Sequence, residues 1–92
     1  MDVFGQIAEK IIAKQESIIG PVAIEQAKAV AGLKVHWDKK DVTVTGDQPK
    51  VIDNLVSRYK DLFGKISVEV SKEAAGSLIS TLPAKEVPSL LR

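Results

Sequence analysis

Residues 7–32 read "IAEKIIAKQESIIGPVAIEQAKAVAG", and residues 51–76 read "VIDNLVSRYKDLFGKISVEVSKEAAG". The second stretch follows the first by forty-four positions and aligns with it without a gap. Many pairs exchange one apolar side chain for another, and the identical pairs are Gly20/Gly64, Glu25/Glu69, Lys28/Lys72, Ala31/Ala75 and Gly32/Gly76. A repeat of this kind predicts two versions of one unit, neither of which buries its apolar face alone.

Each version has the pattern of two helices joined at a glycine. Apolar residues recur at helical spacing over 3–19, which predicts an amphipathic helix. Gly20 and Pro21 then end it, because glycine reaches the left-handed conformation and proline suits the first turn of a following helix. A shorter, alanine-rich helix is expected over 22–31, and 51–63 repeats the pattern of the long helix.

Residues 33–45 change to a period of two, which predicts a β-hairpin between the two units. Alternation places four apolar residues on one face, on either side of a polar link: Val35, Trp37, Val42 and Val44. An isolated hairpin is marginal in water, so this face should rest on the helices. Asp47 is expected to cap the next helix, with Pro49 in its first turn.

Residues 65–70, "KISVEV", are compatible with two structures. Their alternation is typical of a strand, which would complete a β-α-β crossover and a three-stranded sheet. However, the counterpart at 21–26, "PVAIEQ", suits a strand poorly, and apolar residues from Phe63 to Leu78 also fall at helical spacing. We therefore expect an α+β, mainly helical fold, in which two helix–turn–helix units, 7–32 and 51–76, flank a central hairpin within one domain, 1–92.

The C-terminal tail, 83–92, is interrupted by Pro83 and Pro88, so the last helix should stop before Pro83. Leu90 and Leu91 then have three alternatives: to tuck back onto the core, to project as a short docking motif, or to fray with the chain end.

Composition excludes several classes of protein. A chain of 92 residues builds one modest core, and the absence of cysteine excludes disulfides, thiol catalysis and cysteine-ligated metals. A small domain without such crosslinks is expected in a reducing cytoplasm. The net charge of +1 leaves no excess of basic residues that would attract nucleic acid or anionic lipid. The charged residues near the N-terminus argue against both a signal peptide and a membrane span.

The sequence predicts no catalytic, cofactor-binding or metal-ligating residues. His36 alternates with core positions and should face solvent. Its nearby acids, Asp38 and Asp41, are separated by two lysines, and these lysines would repel a metal cation. General-base catalysis by His36 lacks a partner, since there is no second histidine and no nucleophile elbow. No glycine-rich loop joins a strand to a helix in the pattern of a phosphate site.

The leading prediction is a cytoplasmic, non-catalytic protein–protein interaction or regulatory module that forms a homodimer, because duplicated surfaces can pair between chains. The stretch "IIGPVA" (18–23) also resembles short helical stretches of bacterial signalling proteins, without naming a family. One alternative is a weak nucleic-acid-binding module acting through the hairpin, and another is a small-ligand binder using an alanine-lined cleft between the units. Membrane association is not expected. The candidate contact residues are Trp37, His36, Lys39, Lys40, Leu90 and Leu91.

Overall fold

A computed structural model describes all 92 residues, with four helices and one antiparallel hairpin. The elements are α1 Val3–Ile19, α2 Val22–Lys28, β1 Leu33–His36, β2 Asp41–Val44, α3 Gln48–Phe63 and α4 Ile66–Ile79. Short 3₁₀ turns occupy Trp37–Lys39, Ala84–Glu86 and Ser89–Leu91. The predicted α+β, mainly helical class is therefore confirmed. None of the helices combines the length and the apolarity needed to cross a membrane.

Residues 66–79 form one helix, α4, so the alternative with a third strand at 65–70 is wrong. The helical spacing prevails over strand propensity because small side chains recur every four residues on one face. Ser67, Ser71 and Ala75 are buried there and let α4 approach its neighbours closely. The helix packs mainly on α1 and α3.

Both helix pairs turn at a glycine with nearly the same backbone conformation. Gly20 has φ 78° and Gly64 has φ 86°, in the region where a side chain would be strained. Each donates its backbone N–H to the carbonyl four residues earlier, on Glu16 and Lys60 respectively. The pairs differ further along, since α2 ends at Lys28 while α4 continues to Ile79.

The long helices α1 and α3 bury the same helical stripe. The buried positions shared by the two helices are Ile7, Ala8, Ile11, Ile12 and Gln15 in α1, and Val51, Ile52, Leu55, Val56 and Tyr59 in α3. Residues three and four apart lie on one face of a helix, so both stripes point into one core. Ala23 and Ala27 of α2 and the strand residues Val42 and Val44 complete this core.

The hairpin is shorter than its sequence pattern predicts. Leu33 pairs with Val44 and Val35 with Val42, but β1 stops at His36. Trp37 therefore lies in the connecting 3₁₀ turn and not on the apolar face of a strand. The reason is the tight connection, which closes through Lys40 in the left-handed conformation, with φ 53°.

Aspartates cap both long helices. The Asp47 carboxylate accepts the backbone N–H of Lys50 at 3.3 Å, as predicted. The Asp2 carboxylate accepts the N–H of Gly5 at 2.8 Å and the Gln48 side-chain amide at 2.9 Å. Both hydrogen bonds favour the charged carboxylate and lower the pKa of Asp2 below its usual value, and the bond from Gly5 has the larger effect.

Candidate interaction surfaces

Trp37 fastens the hairpin connection to α1. Its indole Nε1–H donates to Glu16 Oε1 at 3.2 Å, and the residue is half-buried. Lys40 Nζ lies 4.2 Å from the centroid of the indole ring and 3.9 Å from Glu16 Oε1. A cation over an aromatic face and a shared carboxylate are both attractive, so these three side chains stabilise one another.

His36 is exposed, as its alternation with core positions predicts, and Lys39 on the other side of Trp37 is exposed as well. Their charged neighbours Asp38 and Asp41 are also at the tip, which mixes both signs of charge over a small area. Nowhere in the chain do three histidine, aspartate or glutamate side chains converge closely enough to hold a metal ion.

The C-terminal tail, 83–92, packs back onto the core, which is the first of the three alternatives predicted for it. Asp53 of α3 accepts the backbone N–H of Ser89 at 3.0 Å, the Ser89 hydroxyl at 2.9 Å and the N–H of Leu90 at 2.9 Å. Leu91 is 6% exposed and Pro88 is buried, next to α3 and α4. Leu90 is half-buried, and neither leucine projects as a docking motif because the core takes up their apolar surface.

Both glycine turns lie at the same end of the molecule. Gln15 near the end of α1 donates to the Ser67 carbonyl near the start of α4, at 3.1 Å, and Ala74 further along α4 lies beside the earlier α1 residue Lys10. The two helices therefore run antiparallel. Tyr59 near the end of α3 reaches the Ala23 carbonyl at the start of α2, at 2.6 Å.

This turn end, defined by Ile18, Leu62, Phe63 and Ile66, carries four of the five exposed large apolar side chains of the protein. Ile18 is 57% exposed, Leu62 54%, Phe63 36% and Ile66 68%; Met1 is the one other large apolar residue in this class. The sequence pattern assigns Ile18 and Leu62 to buried helix faces, and the structure leaves them in solvent. Periodicity gives the direction of a side chain but not whether another element covers it.

Two shallow grooves open to solvent on the sides of the molecule. One lies between α1 and α4 and is lined by Glu9, Lys10, Ala13, Lys14, Ser17 and Ala74. The other lies between α3 and the segment after α2 and is lined by Ala29, Val30, Ala31, Asn54, Ser57, Arg58 and Asp61. Alanines occur in both, but small-molecule sites are usually enclosed and mainly apolar, and these grooves are open with charged walls.

No protein-family model, curated protein or solved structure matches this chain. Its own surfaces are therefore the grounds on which a function can be assigned.

Proposed function

We propose that this chain is a non-catalytic protein–protein interaction or regulatory module that acts as a homodimer in the cytoplasm. The observation that carries the proposal is the turn end, where four large apolar side chains are exposed. Single exposed apolar residues are common on soluble proteins, but clusters of them usually mark a surface that contacts another molecule.

The composition of the turn end favours self-association. Ile18 and Leu62 occupy equivalent positions in the two helix pairs, forty-four residues apart, as do Ile19 and Phe63. We infer that the pairs are two versions of one duplicated unit, and the matching buried stripes of α1 and α3 support this inference. An interface between two copies of the chain would be two-fold, with each chain presenting the same patch to the other.

Nucleic-acid binding through the hairpin remains an alternative with less support. Lys40 already contacts Glu16 and Trp37, so its charge and the indole face are partly used within the chain. Lys39 is left beside Asp38, which is a small basic footprint for a phosphate backbone. Small-ligand binding would have to use one of the two open grooves.

Sedimentation equilibrium over micromolar concentrations tests the proposal. We expect a monomer–dimer equilibrium that changes little between low and high salt, because the proposed contact is apolar. A strict monomer throughout would overturn self-association. Binding to DNA or RNA that weakens steeply with salt would favour the nucleic-acid alternative, and a metabolite that raises the melting temperature would favour the ligand alternative.

A further inference from the structure

We propose that one edge of strand β1 is a docking site for an extended, acidic segment of a partner protein, which adds to the hairpin as a further strand. This inference rests on the proposed interaction function and names the chemistry of the partner. It concerns a surface other than the turn end, so the two can be tested separately.

The backbone groups of β1 alternate between the two sides of the strand. Thr45 donates its N–H to the Gly32 carbonyl at 2.9 Å, which fixes one hydrogen-bonded pair of the antiparallel ladder. Bonded pairs recur at every second residue along such a ladder. The remaining bonded pairs are Lys34/Thr43 and His36/Asp41. The residues between them therefore direct their N–H and C=O groups away from the other strand of the hairpin.

Leu33 and Val35 are these intervening residues of β1. The Leu33 N–H donates to the Val30 carbonyl at 3.2 Å. The Leu33 carbonyl and both backbone groups of Val35 take part in no hydrogen bond within the chain. Buried backbone groups are almost always paired, so these three groups are open to solvent. We call this side of β1 the free edge.

The opposite edge of the hairpin is closed by the chain itself. Val42 and Val44 of β2 also direct their backbone groups outward, but the Val42 N–H donates to Met1 Sδ at 3.4 Å. The Val44 carbonyl accepts the Gln48 side-chain amide at 3.0 Å, and Gly5 lies against the Val42 carbonyl. An unpaired edge is a template for another strand, so β1 is the side of the hairpin that can accept one.

The side chains beside the free edge select the charge of the added strand. Lys34 and His36 both lie on the outer side of the hairpin and are exposed. Lys34 takes part in no ion pair within the chain. A carboxylate directly opposite Lys34 would form a cross-strand pair of opposite charge, which stabilises a sheet. Because Leu33 and Val35 face the other way, the favoured segment alternates acidic and apolar residues.

The same side chains disfavour β1 of a second copy as the occupant. Two-fold pairing of β1 with itself can use the Val35 backbone in two registers. Pairing Val35 with Val35 places Lys34 opposite His36 of the second copy, and pairing Val35 with Leu33 places Lys34 opposite Lys34. Both registers oppose basic side chains, and like charges directly opposite destabilise a sheet. An acidic partner is therefore favoured over self-pairing.

A titration of the full chain with two capped peptides, followed by NMR, tests the proposal. The acidic probe is Thr-Glu-Val-Glu-Val-Thr and the basic probe is Thr-Lys-Val-Lys-Val-Thr. The strand is short, so we expect the acidic probe to bind with a dissociation constant of about 0.1–1 mM, and about tenfold more tightly than the basic one. The Val35 amide should shift and become protected from hydrogen exchange, whereas the Val42 amide, on the closed edge, should change less.

Two charge reversals separate the free edge from net charge. Lys34→Glu should abolish the preference for the acidic probe, and position 34 is exposed, so the fold should be unchanged. Lys85→Glu is the matched control, because it makes the same change in net charge at an exposed position in the C-terminal tail. It should keep the preference. The proposal is overturned if both variants lose the preference equally, or if millimolar acidic probe leaves the Val35 amide of the unmodified chain unchanged.

A dilution series without peptide identifies self-pairing. If the Val35 amide shifts with the concentration of the chain alone, a second copy occupies the free edge and the acidic partner is wrong. The titration and the sedimentation experiment fail independently. A dimer that ignores both probes overturns this inference and leaves self-association standing, whereas a strict monomer that binds the acidic probe at Val35 keeps the docking site and overturns self-association.

Discussion

Gln15 and Tyr59 lie forty-four residues apart and join the two helix pairs through reciprocal hydrogen bonds. Gln15 Nε2 donates to the Ser67 carbonyl at 3.1 Å, and Tyr59 Oη donates to the Ala23 carbonyl at 2.6 Å. Ser67 and Ala23 are themselves forty-four residues apart. Each bond thus links the long helix of one pair to the first turn of the shorter helix of the other, and both donor residues are buried.

Tyr59→Phe should lower the free energy of unfolding at pH 7 by about 1 kcal/mol, because the buried Ala23 carbonyl loses a donor while the ring still fills its place. Burial raises the pKa of Tyr59 well above its usual value of 10.0, so the folded protein keeps the phenol neutral. In the unfolded chain the phenol ionises near pH 10. Above that pH the unfolded chain binds fewer protons than the folded state, so a further rise in pH favours unfolding. Tyr59 therefore contributes stability that is complete below pH 10 and is lost in alkali.

Urea unfolding from pH 7 to about pH 11.5 measures this contribution. The unmodified chain should lose stability faster than Tyr59→Phe, with a difference in slope approaching 1.4 kcal/mol per pH unit. The two proteins differ only in the phenol hydroxyl, so the difference between their slopes isolates the tyrosine. Tyr59 is the one tyrosine, and its phenolate absorbance should appear together with unfolding. Equal slopes for the two proteins would show that the phenol is accessible in the folded state.

Gly5 and Gly76 are both in helices and should respond oppositely to alanine. A methyl group on Gly5 would overlap the backbone carbonyl oxygen of Val42, so α1 and β2 would have to separate. We expect Gly5→Ala to lower the free energy of unfolding by about 2 kcal/mol. Gly76 faces open space, and Gly76→Ala should raise it by about 0.5–1 kcal/mol through better helix propensity. Denaturant unfolding of the two variants measures both changes in the free energy of unfolding. Destabilisation by Gly76→Ala would contradict the conclusion that residue 76 faces open space.

The sequence predicts the elements of this fold better than their surroundings. Periodicity places the helices to within a few residues and separates hairpin from helix, because side-chain direction follows local backbone geometry. The ambiguity at 65–70 arises because Val68 and Val70 suit a strand locally, whereas burial of Ser67 and Ser71 against α1 depends on distant residues. The turn end is not predicted for the same reason: Ile18 points along a buried stripe, and only the assembled chain shows that nothing covers it.

Leu91→Ala should destabilise the folded chain by about 2–3 kcal/mol, because Leu91 is a core residue and its truncation leaves a cavity. Asp53→Ala removes the acceptor for three donors of Ser89 and Leu90 and should cost about 1–2 kcal/mol. Hydrogen exchange of residues 89–92 should accelerate in Asp53→Ala before the rest of the protein opens. The proposed self-association should be unaffected by either change. Unchanged stability together with weakened association would instead make the tail a docking motif.

Glu16 contacts both Trp37 and Lys40, and two substitutions separate these contacts. Glu16→Gln keeps an oxygen that can accept the indole N–H but removes the ion pair with Lys40, whose side chain is 59% exposed. An ion pair this exposed contributes little, so Glu16→Gln should change stability by less than about 0.5 kcal/mol. Glu16→Ala also leaves the half-buried indole N–H without its acceptor and should cost about 1 kcal/mol. Trp37 is the one tryptophan, so its fluorescence should shift to longer wavelength in Glu16→Ala and stay unchanged in Glu16→Gln. Equal effects of the two substitutions would mean that the charge of Glu16, and not its hydrogen bond, fastens the hairpin to α1.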